Sequence, residues 1–92
     1  MVDLRRFAKD QPCTLRLEGV CANDPAQTVL CHLGGAGMAI KRDDYDGLHA
    51  CAPCHAVMDM RMKLKDTSID LRRRVFRARY DTQTRLVEAG HL

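Results

Sequence analysis

The chain has no tryptophan and only two phenylalanines and two tyrosines among its 92 residues, so a core built on aromatic rings is excluded. A domain of this length buries a modest share of its surface and often relies on a metal or disulfide staple. No segment approaches the roughly 18 apolar residues that a membrane-spanning helix needs. The opening MVDLRRFAKDQP is charged at Asp3, Arg5, Arg6, Lys9 and Asp10 and lacks the apolar stretch of a secretory signal. These absences lead us to expect one soluble, cytoplasmic domain over residues 1–92, in a reducing compartment where cysteines bind metal more often than they pair.

Acidic residues become scarce in the second half. Residues 1–60 carry six Lys/Arg against eight Asp/Glu and residues 61–92 carry nine against four, so the +3 total divides into −2 and +5. The basic half points toward a polyanion such as nucleic acid. An Arg-rich helix face turned to water would give the same totals.

What the chain does have is cysteine, at positions 13, 21, 31, 51 and 54. The stretch CAPCH, residues 51–55, shares its spelling with a c-type haem attachment site, a thioredoxin-like dithiol and half of a zinc knuckle. Haem attachment goes with export and needs a second axial ligand in an apolar pocket. A Cys-x-Pro-Cys dithiol belongs to a βαβ unit whose apolar parallel strands are missing here. In the zinc reading, the two-residue gap lets one turn present Cys51 and Cys54 to a single ion, while Cys13 and Cys21 bracket a wider segment. Four thiolates in two pairs make a closed, structural Zn2+ site. The alternative for Cys13 and Cys21 is that they pack as small apolar residues. Cys31 has no partner of its own and is expected to pack, or to replace one of the four.

The local patterns predict a small α+β chain. DLRRFAK forms a short helix, and CTLRLEGVC is an extended segment with Cys13, Leu15 and Leu17 on one side. CANDPAQ is turn chemistry, and TVLCHL is a β-branched strand ending near His32; together these make a β-hairpin-like layer. GMAIK is a candidate third strand. Pro53 suits the first turn of a helix from about Ala52, which puts His55 and Asp59 four apart on one face. A second helix starts at Thr67, with Asp70 in a capping-box arrangement, and ends at Gly90. Its expected apolar stripe is Ile69, Phe76, Tyr80 and Val87, which makes a homodimer plausible. His49 and His91 read as surface or structural.

A strand ending in histidine, joined by a metal knuckle to a helix whose first turn bears another, resembles the HNH or His-Me finger nucleases and their ββα-metal fold. The order LRRFAK, C, GVC, TVL with His32, then CAPCH and Asp59, over about residues 3–61, resembles more closely the small prophage-encoded YbcO-like family named as nucleases. The resemblance implies a zinc-stabilised ββα-metal fold with a β-hairpin and an added C-terminal helix. It implies an endonuclease in which His32 is the general base and His55 holds a catalytic Mg2+, Mn2+ or Zn2+. Cys13, Cys21, Cys51 and Cys54 would hold structural Zn2+. Many HNH enzymes place an acidic ligand just before the base, where this chain has Cys31, and an asparagine before the knuckle, where it offers Asp46. Asp59 would orient His55, or else pair with Lys63. Lys41, Arg61, Arg72, Arg73, Arg74 and Arg77 would meet the phosphates of nucleic acid, DNA foremost, with the Gly34–Gly37 loop allowing close approach. The competing reading is a non-catalytic zinc module that binds DNA or a protein through its Arg-rich helix.

Overall fold

A computed structural model of the chain describes residues 3–32 and 47–91. Lys41, Asp46, the Gly34–Gly37 loop and the GMAIK strand candidate lie outside the described residues. Helix α1 spans Leu4–Ala8, its first turn capped by the Asp3 carboxylate accepting from the Arg6 N–H at 3.1 Å. A single 3-10 turn at Pro25–Gln27, capped in the same way by Asp24, leads into strand β1, Thr28–Cys31. Strand β2, Leu48–Cys51, runs directly into helix α2, Ala52–Lys63, and helix α3, Ile69–Glu88, closes the order. The result is a small α+β arrangement in which one antiparallel strand pair is packed by helices.

The register of that pair sets Thr28 against Cys51, Val29 against Ala50, Leu30 against His49 and Cys31 against Leu48. This corrects the expected hairpin-like layer in which residues 13–18 form an extended arm ahead of a turn at Glu18 and Gly19. Arg16 has a φ of 43°, which breaks extension, and the Leu17 carbonyl accepts from both Val20 and Cys21 N–H groups in a tight turn. The expected inward residues Cys13, Leu15 and Leu17 are buried all the same, and Thr14 joins them.

All four residues of β2 are buried, so its edge away from β1 must be satisfied from within. There the His49 carbonyl accepts from the Thr14 N–H at 2.6 Å and from the Thr14 hydroxyl at 2.8 Å. The His49 N–H donates to the Thr82 hydroxyl of α3 at 3.2 Å. The His49 ring is 1% exposed, 5.8 Å from the Phe7 ring, and its Nδ1 lies 2.9 Å from the Arg85 guanidinium. Burial and then the Arg85 charge push its pKa down to about 4, so it is a neutral structural residue. His91 is structural too, packed edge-on against Phe7 at 4.7 Å.

The core unites Leu15, Leu17, Leu48, Met58 and Leu71 with Ala50, Ala78 and the sulfurs of Cys13, Cys31, Cys51 and Cys54. Sulfur and short aliphatic chains fill the space that rings would otherwise occupy. Helix α3 departs from expectation at its start. Its cap is Ser68, whose hydroxyl accepts from the Leu71 N–H at 3.2 Å, one residue after Thr67. The face it turns inward carries Leu71, Ala78, Thr82 and Leu86, whereas Ile69, Phe76, Tyr80 and Val87 stand exposed. Thr82 wins an inward place because its hydroxyl serves both His49 and Thr14, which lies 3.1 Å away. The helix ends as expected at Gly90, with φ of 78°, where the Gly90 and His91 N–H groups return to Val87 and Leu86 carbonyls.

Thr82→Val keeps the shape of this side chain and removes its acceptor, leaving the His49 N–H unsatisfied. It is expected to cost about 1–3 kcal/mol of stability, read as a lowered urea midpoint with unchanged slope.

Candidate metal centre and adjoining clefts

Four of the five cysteines converge. The sulfurs of Cys13, Cys21, Cys51 and Cys54 all lie within 4.8 Å of one another, and Cys21 and Cys51 are 3.8 Å apart. No disulfide joins them. Local backbone explains each position. Cys13 follows α1 and begins the buried irregular segment; the turn through Gly19, with φ of 74°, swings Cys21 back toward it. Cys51 is at once the last residue of β2 and the cap of α2, and Cys54 lies in the first turn of that helix beyond Pro53. The two-residue gap therefore places both thiols at one strand-to-helix junction.

The surroundings favour sulfur that carries charge. The Arg16 N–H donates to Cys13 Sγ at 3.3 Å, and the Ala22 N–H to Cys51 Sγ at 3.5 Å. Burial pushes the Cys51 thiol up, but the backbone N–H groups of Ala22 and Cys54 and the neighbouring thiols outweigh it and bring the pKa to about 7. Burial holds the Cys54 and Cys21 thiols above the ordinary range. In protein alone, one thiol is poised to ionise while others resist, and a bound cation removes that resistance. Four thiols so placed can hold a metal ion such as zinc, with no coordination position left over. Cys31 stays outside the cluster, wholly buried, its thiol pushed up to about 12 by burial, the Asp59 charge and Cys13.

Two histidines lie on the neighbouring elements. His32 follows the last residue of β1, and His55 sits half-buried in the first turn of α2. His55 Nε2 lies 3.7 Å from Asp59 Oδ2, one turn along. Asp59 thus meets His55, and its charge also reaches the Cys31 thiol beside His32. His32 borders a cleft of about 450 Å3 lined by Arg5 and Lys9 of α1 and by Thr28, Val29 and Leu30. The basic pair on α1 was not among the candidates read from the sequence. A charge count over the first 60 residues hides it among acids, although its spacing of four on a short helix was a visible signal.

The basic residues expected to meet phosphates divide into two groups. Arg61 is committed elsewhere: its Nε donates to Asp66 at 2.6 Å and its Nη2 to the Ser68 hydroxyl at 3.2 Å, tying the end of α2 to the start of α3. The Ser68 N–H and the Arg61 guanidinium together hold the Asp66 carboxyl down to about 2. Arg74 pairs with Asp70 at 3.3 Å. Arg72, Arg73 and Arg77 are exposed and make no ion pair among the described residues. Arg73, Arg74 and Arg77 line a second cleft of about 450 Å3 with Arg16, Thr14, Leu15 and Asp70. Among the described residues, no helix is long and apolar enough to cross a membrane.

A small α+β chain whose four-cysteine cluster could hold a metal ion at a strand-to-helix junction defines a class of compact, cysteine-rich domains. Within it the chain belongs to the family described as "Putative nuclease YbcO", whose model matches residues 2–91. It is 36% identical over 69 residues to "Putative nuclease YbcO" of Escherichia coli (strain K12), covering 72% of each protein. The same identity and coverage relate it to "Putative nuclease ybcO" of Enterobacteria phage 82. Its fold is shared, with a TM-score of 0.67 at 23% identity, by a solved "putative bacteriophage protein" of Escherichia coli str. K-12 substr. MG1655. That alignment covers 96% of this chain and 100% of the other.

Reduced protein prepared in the presence of zinc is expected to hold one metal ion per chain by elemental analysis. Cys54→Ser should lose it, and excess chelator should lower the thermal midpoint of the parent by more than about 10 °C. Unchanged melting with and without chelator would remove the cluster's structural role.

Proposed function

We propose that the chain is a metal-dependent endonuclease of the HNH, or His-Me finger, type, hydrolysing phosphodiester bonds of nucleic acid, DNA foremost. The observation that carries this reading is the placement of His32 at the end of β1, in a cleft walled by Arg5 and Lys9, with the His55–Asp59 pair on the helix that follows β2. The order β1, β2, α2 supports the ββα arrangement, and membership in a family named for nuclease activity supports the reaction class.

In this reading His32 takes a proton from the attacking water as general base. The Asp59 carboxylate, 3.7 Å from His55 Nε2, biases the direction of that ring and leaves Nδ1 to face a ligand. A divalent cation, Mg2+, Mn2+ or Zn2+, supplies charge stabilisation for the phosphate and the leaving oxygen when bound there. The four cysteines hold a separate zinc whose role is to fix β2 and α2 against residues 13–21. Arg5 and Lys9 grip phosphate at the cleft, and Arg73 and Arg77 extend the basic track.

His32→Ala is expected to lower plasmid or oligonucleotide cleavage at least about 100-fold while metal content and DNA affinity stay as in the parent. Should the parent itself fail to cut DNA or RNA with any of the three cations yet bind DNA, the chain is a zinc-stabilised binding module instead. In either case, replacing Arg73 and Arg77 with alanine should weaken DNA binding across sequences. The same pair should reduce the slope of log affinity against log salt by about two.

A further inference from the structure

We propose that α3 is a dimerisation helix, packing antiparallel against α3 of a second copy of this chain about a two-fold axis at the height of Ala78. Four large side chains on its outer face are left in water: Ile69 is 65% exposed, Phe76 75%, Tyr80 66% and Val87 57%. The inward face is already occupied by Leu71, Ala78, Thr82 and Leu86. At 3.6 residues per turn, positions 69, 76, 80 and 87 fall within a strip about 40° wide, the narrow seam of a helix pair.

The spacing of the four identifies the occupant. Ile69 and Val87 lie equally far on either side of Ala78, as do Phe76 and Tyr80, so the strip reads the same from both ends. A surface with that symmetry is complementary to itself when turned over, the requirement of an isologous contact. In the antiparallel pair, Phe76 meets the partner's Tyr80 on both sides of the axis, and Ile69 meets the partner's Val87 at both ends. At 150–250 Å2 for an aromatic residue and the exposures above, the four side chains offer roughly 500 Å2 per protomer. Doubled, this reaches the roughly 1,000 Å2 at which a specific interface becomes credible. Ile69 and Val87 offer no ring for a base to stack on, which disfavours nucleic acid as the occupant.

The arrangement also fixes the sign of a salt effect. Arg77 flanks the axis, and two-fold symmetry sets it near its own copy. Added salt screens that repulsion, so association should tighten as salt rises. Binding of a phosphate backbone to the same face would weaken.

Sedimentation of the zinc-loaded chain at about 50 and 500 mM salt tests the proposal. Twice the 10.4 kDa chain mass, with tighter association at the higher salt, is expected. Phe76→Asp and Tyr80→Asp should each weaken association at least about 30-fold with metal content and circular dichroism unchanged. Register is checked by oxidising a mixture of Ile69→Cys and Val87→Cys chains, which should cross-link to each other. Neither should cross-link alone, since like positions lie about 27 Å apart along the axis. A monomer at every concentration, cross-linking of Ile69→Cys to itself, or association that weakens with salt would overturn the proposal. So would a monomer whose oligonucleotide affinity falls on Phe76→Asp, which would assign the strip to nucleic acid. None of these readouts requires cleavage, so the dimer stands or falls apart from the nuclease reading.

Discussion

The convergence of four thiols is the constraint on which the rest of the molecule depends. Cys13 and Cys21 come from a segment with no regular secondary structure, and Cys51 and Cys54 from a strand-to-helix junction. Thr14 bonds to His49, and the turn beyond it is closed on itself, so that the sulfurs of Cys13 and Cys21 are the groups that reach the junction together. A metal ion held by all four sulfurs would tether the segment there. It would also settle an electrostatic conflict, since burial resists ionisation of the thiols while nearby N–H groups favour it at Cys51. In a chain with two phenylalanines and no tryptophan, coordination would then stand in for bulk.

That anchoring determines where the functional side chains can be. His55 is carried by the same turn as Cys54, so the knuckle orients the candidate ligand as well as the fold. His32 is held by β1, whose register against β2 is set by the residues that deliver Cys51. The basic clefts are less tightly coupled to it, because one is built by α1 against β1 and the other by α3 against residues 14–16.

Much of this was legible in the sequence because it depends on spacing. The two-residue gap of CAPCH, the proline at the start of α2, the valine and threonine of β1 and the glycine after α3 each encode a local geometry that tertiary context had no reason to override. The second strand was harder to see. LHAC is only four residues long, half of it His and Ala, and its burial comes from having helices on one side and Thr14 on the other. The inward face of α3 was not legible for a related reason. Hydropathy singles out Ile69, Phe76 and Tyr80, but the space against β2 admits Ala78 and rewards Thr82 for its hydroxyl. The partners of Arg61, Asp66 and Ser68, belong to a turn whose path sequence periodicity does not trace.

The manner in which β2 is closed off has a bearing on how copies of this protein can meet. With the His49 amide and carbonyl turned toward Thr82 and Thr14, the strand offers no ladder there onto which a foreign strand could add. Template-driven growth of the sheet into fibrils is blocked on that flank, even though the strand is apolar and short.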